Sequence, residues 1–116
     1  MKGNVVRDKS FAFALRVVRL AEYLRCDRKE FVLSRQVLRS GTAVGALIRE
    51  SEHAQSRADF ISKMSIALKE ANETEYWIDL LHQSDYIDQT KYNSIHPDIV
   101  ELLKLLVSIV ITSRNH

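Results

Sequence analysis

Four histidines (53, 82, 96 and 116), one cysteine and a scatter of arginines are the residues of this 116-residue chain best suited to chemistry. A metal centre in a helical protein needs its donors returned to one place, as paired Glu-x-x-His repeats do in a di-iron bundle. Glu50 and His53 give that spacing once, no second copy follows, and no His-Glu-x-x-His occurs. No metal and no cofactor is expected. Cys26 has Arg25 and Arg28 beside it, cations that favour a thiolate. No His or Asp is placed by the sequence to complete a nucleophilic set, so Cys26 reads as a plain free thiol. The glycines of Ser-Gly-Thr-Ala-Val-Gly-Ala lack both the Gly-Lys-Ser/Thr ending and the preceding strand of a phosphate loop. These gaps argue against an enzyme, and no catalytic residue is assigned.

What remains is positive charge. Arg16 and Arg19 fall on a first predicted helix, and Arg35, Arg39 and Arg49 on a second. Brought together, they would neutralise phosphates without reading sequence, and the guanidinium fork suits phosphate oxygens. Aromatic side chains for base stacking are sparse among them. Tyr23 lies near Arg19, whereas Phe11, Phe13 and Trp77 read as packing residues. The net charge of +2 conceals an asymmetry: residues 1 to 60 hold 12 Lys/Arg against 7 Asp/Glu, and residues 61 to 116 hold 5 against 8. The basic half is either a surface for nucleic acid or an acidic partner, or a solvated face that complements the acidic half within one fold.

These residues need helices to position them. One Pro and three Gly in the whole chain leave few helix breakers. The first helix is predicted over about 9–26, with Asp8 or Ser10 as its cap. Phe11, Ala14, Leu15, Val18 and Ala21 make one apolar stripe, and Phe13, Val17, Leu20 and Leu24 a second beside it. So wide a surface implies contacts on more than one side. The second helix is predicted over about 33–52, with Val37, Gly41, Val44 and Ile48 on one face and Leu38 and Gly45 at its border. A glycine inside a helix costs about 0.5–1 kcal/mol relative to alanine. Two of them four residues apart point to close helix approach.

The third helix is predicted over about 57–83, capped by Ser56 with Asp59 in the capping-box position. Its stripe of Phe60, Met64, Ala67, Ala71, Glu75 and Ile78 contains one carboxylate, which requires a cationic partner when buried. Arg39 or Arg35 is the expected partner for Glu75. The fourth helix is predicted over about 88–113, with Leu102, Leu103, Leu105, Leu106, Ile109 and Val110 on its apolar side. Pro97 implies either a short helical turn followed by the main helix, or a kink. No strand pattern competes. The expected fold class is all-α: a single-domain, antiparallel up-down four-helix bundle, assembling as a homo-oligomer.

At 46% apolar and 28% charged residues the chain has the composition of a globular domain. No stretch reaches the roughly 20 apolar residues of a membrane span, the N-terminus has no secretory pattern, and the lone Cys26 cannot form an internal disulfide. A reducing cytoplasm is the expected compartment.

The segments RQVLRSGTAVGALIRESEHAQSRADF, SKMSIALKEANETEYWIDLL and SDYI carry a resemblance. They combine a Gln-x-x-Arg run, a small-residue helix, a polar turn ending in Ser-Arg-x-Asp-Phe, and spaced acidic residues thereafter. In this the chain resembles the four-helix-bundle proteins encoded by intervening sequences of bacterial 23S ribosomal RNA genes. The likeness spans roughly residues 11 to 111 and is strongest from 36 to 87. It implies ring-like homopentamers of antiparallel bundles. It also implies kinship with the basic pentamer that accompanies the reverse transcriptase of diversity-generating retroelements and binds nucleic acid. By carry-over, Arg35, Arg39 and Arg49 would belong to that surface. Many members have a Glu-Gly-x-x-Arg turn where this chain has Glu50-Ser51-Glu52-His53-Ala54, which is less basic. Two readings follow: an oligomer that binds RNA or DNA backbone, or an oligomeric scaffold for a protein partner.

Overall fold

The computed structural model describes residues 2–115. They form four helices, α1 (Lys2–Cys26), α2 (Leu33–Ser51), α3 (Arg57–Gln83) and α4 (Gln89–Arg114), with no strand among the described residues. The helices pack into a bundle of 46 × 21 × 20 Å. Consecutive helices lie side by side, and α1 closes the ring against α4 through the thinnest of the four seams.

Helix α1 starts at Lys2, not near Lys9, because its core stripe begins earlier than the polar residues suggest. Val6, Phe13, Val17, Leu20 and Leu24 are buried. Ser10 sits in the same stripe and its hydroxyl donates to the Arg7 carbonyl at 2.9 Å, so it is a mid-helix residue and not a cap. The other apolar stripe is open in part: Phe11, Leu15 and Val18 are exposed, whereas Ala21 is buried and Ala14 half-buried.

On α2, Val37, Gly41, Val44 and Ile48 are all buried. A Cβ at Gly41 would stand 2.8 Å from both γ-carbons of Val17, and one at Gly45 would stand 3.4 Å from the Ser10 carbonyl oxygen. The glycines are where α1 approaches α2. No side chain caps α2 from Val32; the buried Glu30 accepts from the Ser34 N–H at 2.8 Å and serves instead.

Ser56 caps α3 by accepting from the Asp59 N–H at 3.0 Å, while the Asp59 carboxylate reaches back to the Gln55 N–H at 3.1 Å. The polar residue buried in the α3 stripe is Thr74, whose hydroxyl lies 2.9 Å from that of the equally buried Ser40. Glu75 stands at the edge of the core.

Helix α4 begins after the Asp88 cap and continues unbroken through Pro97 to Arg114. The proline is tolerated because it faces outward, as do Asn93 and Ser94 in the preceding turn. Proline supplies no N–H to the carbonyl four residues earlier, and here that carbonyl belongs to Asn93, on the solvent side. Arg16 of α1 clamps the same turn. Its guanidinium donates to the Ser94 carbonyl at 2.8 Å, the Ser94 hydroxyl at 2.6 Å and the Asp98 carboxylate at 2.6 Å. The buried faces of the four helices join in one core containing Leu24, Ile48, Ile78, Leu81, Ile99, Leu102 and Leu106. No helix among the described residues is long and apolar enough to cross a membrane.

Candidate functional site

The five arginines singled out by sequence do not converge. Arg16 is held in the α1/α4 seam by Ser94 and Asp98. Arg39 reaches from α2 into the α2/α3 seam, on the other side of the bundle, and pairs with Glu70 at 3.2 Å and with Glu73. Arg49 lies over the Phe11 ring, 5.4 Å from its centroid, in the α1/α2 seam. Arg19 is exposed beside Glu22 on its own helix, and Arg35 is exposed. The sequence placed Arg35, Arg39 and Arg49 on α2. It did not say which neighbouring helix each would meet, and acids on α3 claim Arg39.

Part of the charge asymmetry along the chain is taken up within the fold. Lys9 pairs with Glu101, Arg16 with Asp98, and Arg39 with Glu70 and Glu73. Each pair joins the basic half to the acidic half.

The α1/α4 seam nevertheless opens into a groove of about 410 Å³. Leu20, Ile87 and Ile95 form its floor, Thr90 and Ser94 supply hydroxyls, and Arg16, Arg19 and Lys91 stand at its rim. Lys91 lies over the Tyr23 ring, 4.6 Å from its centroid. Two of the five predicted arginines therefore share a surface, joined by a lysine from the acidic half that sequence reasoning passed over. Its neighbourhood depends on α4 folding back beside α1, which no local spacing records.

A second group lies in the α3/α4 seam. Glu75 is not partnered by Arg39 or Arg35, as the sequence suggested; its carboxylate faces His96 Nε2 at 3.0 Å. His96 Nε2 is also 3.8 Å from Asp79 Oδ1. Tyr92 donates its hydroxyl to Asp79 at 2.7 Å. Its ring stacks between those of His82 and His96, with centroids 4.2 and 4.7 Å away. Burial, then the hydrogen bond and charge of Asp79, then the charge of Glu75, push the Tyr92 phenol up to about 12. Of this group the sequence singled out Glu75 alone, as a carboxylate inside the α3 stripe; Asp79, one turn on, is the neighbour that helical spacing adds. The imidazole comes from the next helix.

A family model described as 23S rRNA-intervening sequence protein matches residues 2–108. A crystal structure described as that of a protein with unknown function from the S23 ribosomal protein family of Bacteroides thetaiotaomicron is also similar. The two are 60% identical with a TM-score of 0.93, over 95% of this chain and 98% of that one. Among curated proteins there is no significant match.

Proposed function

The chain belongs to the 23S rRNA-intervening sequence protein family, and from that premise we propose that it is a non-enzymatic, homo-oligomeric bundle that binds the backbone of RNA or DNA. The observation that carries this reading is the α1/α4 groove, where Lys91 and Arg19, beside an Arg16 paired with Asp98, ring an apolar floor. Phosphates would meet the cations, and Tyr23 offers an aromatic face at the same rim. Arg39, neutralised by two carboxylates, contributes little to such a surface.

Several pairings support an antiparallel up-down order. Arg7 meets Glu52 while Val17 meets Gly41, and Lys63 meets Glu50 while Glu73 meets Arg39. Self-association is supported by the open stripe of α1, where Phe11 and Leu15 are each 53% exposed and Val18 37%. Contiguous apolar surface of this kind marks an interface. We further propose, from the resemblance alone, that the assembly is a pentamer and that the chain is kin to the retroelement accessory protein. A cytoplasmic location is part of the same proposal.

The same stripe favours a second reading, in which the oligomer is a scaffold for a protein partner and the groove holds no nucleic acid. An Arg19→Ala/Lys91→Ala variant separates the two. Backbone binding predicts weaker affinity for mixed RNA and DNA, and a log K against log[salt] slope reduced by about two contacts. Unchanged affinity and slope would remove the groove from the account.

A further inference from the structure

The geometry points to a divalent-cation site of the zinc class in the α3/α4 seam, held by Glu75, Asp79 and His96. It is independent of the basic groove, which lies in the α1/α4 seam. One donor atom from each of the three residues lies within 4.8 Å of the other two. Ligands about 2.0–2.1 Å from a tetrahedral zinc stand about 3.3 Å from one another. The His96 Nε2 separations of 3.0 Å to Glu75 and 3.8 Å to Asp79 bracket that value. Small side-chain adjustments would bring the three donors onto an ion, with a fourth position left for water.

Charge and orientation argue the same way. Arg39 pairs with Glu70 and Glu73 on the same helix, but no Lys or Arg ion pair reaches Glu75 or Asp79 among the described residues. Two carboxylates face one imidazole, a deficit that a divalent cation fills. The side chains are one quarter to one half exposed, so an ion has a route in. His96 is held against Tyr92 with its ring only 16° from parallel, which aims Nε2 at the carboxylates. The Tyr92 hydroxyl fixes Asp79, the kind of outer support that metal ligands use. An imidazole among the donors selects zinc-like ions over Mg²⁺ or Ca²⁺, which favour all-oxygen sets. Because the donors come from both α3 and α4, the ion would clamp the seam and raise the melting temperature as its concentration rises.

The test is titration of the metal-stripped, full-length chain with Zn²⁺, and with Co²⁺ as a spectroscopic probe. We expect one ion per chain, a Co²⁺ ligand-field spectrum of tetrahedral type, and no displacement of Zn²⁺ by a hundredfold excess of Mg²⁺. Asp79→Asn and His96→Gln should each weaken Zn²⁺ at least tenfold, whereas His53→Gln should not. Asp79 is half exposed, so its variant keeps the test valid where a change at Glu75 disturbs folding. Absence of saturable Zn²⁺ binding would overturn the site, and so would affinity unaltered in folded Asp79→Asn and His96→Gln chains.

Discussion

Gly41 and Gly45 sit one helical turn apart and carry different consequences. A methyl group at Gly41 meets the branched end of the fully buried Val17 at 2.8 Å, and a valine side chain has little rotameric freedom with which to yield. Overpacking costs about 1–3 kcal/mol, more than the helix-propensity gain of about 1 kcal/mol. Gly41→Ala should therefore lower stability in urea unfolding, and Gly41→Leu should disrupt the α1/α2 contact altogether. At Gly45 the nearest atom is 3.4 Å away, so Gly45→Ala should lie within about 1 kcal/mol of the parent. If both alanine variants are equally neutral, close approach at Gly41 is not what retains the glycine. Tyr92 supplies a pH test. Its folded pKa is raised to about 12 from 10.0, so stability due to the neutral phenol is complete below pH 10 and is lost as pH climbs through 12. Tyr92→Phe should flatten that part of the stability–pH curve and remove the last-titrating phenol from the ultraviolet absorbance.

At the scale of elements, the apolar periodicities located all four helices, and Ser56 marked the start of α3. Two features resisted the same reading. Asp8 and Ser10 look like caps, but Ser10 occupies a core position against Gly45, and burial of Val6 carries α1 back to Lys2. Pro97 looks like a breaker, yet it falls on the outer face of α4 and Arg16 braces the turn around it. Each outcome depends on what another helix places nearby. The candidate sites were hidden for the same reason. Residue type and helical phase put Arg16 and Arg19 on α1 and Glu75 on α3; only packing joins Lys91 to the first pair and His96 to the last. Arg16 and Pro97 should be coupled. Arg16→Ala should cost about 1 kcal/mol in the parent chain, scaled to a half-exposed ion pair, and less in a Pro97→Ala background, where the backbone of α4 recovers its own hydrogen bond. Additive effects in a double-mutant cycle would show that the clamp is independent of the proline.

At the scale of the whole molecule, several residues of the basic and acidic halves pair across helix seams, so part of the formal charge serves the bundle before any partner. Two local features remain: the α1/α4 groove, where Lys91 and Arg19 stand beside the Asp98-paired Arg16, and an apolar patch on α1. We propose that the stripe joins copies and that the groove meets a polyanion, repeated around the assembly. Repetition would make a modest charge per chain effective, because linked sites bind a long strand with avidity. Splitting the assembly should then weaken nucleic-acid binding without touching the groove. Leu15→Glu offers that test: the mass should fall to that of a monomer and affinity should fall with it.

The measurement that bears most directly on the central proposal is solution mass by light scattering, with and without a mixed single- and double-stranded RNA and DNA ladder, at low and moderate salt. The expected result is an oligomer, five copies by the family resemblance, that gains mass with nucleic acid and releases it as salt rises. An oligomer indifferent to nucleic acid at low salt would contradict backbone binding and leave the scaffold reading, and a monomer would contradict the assembly itself.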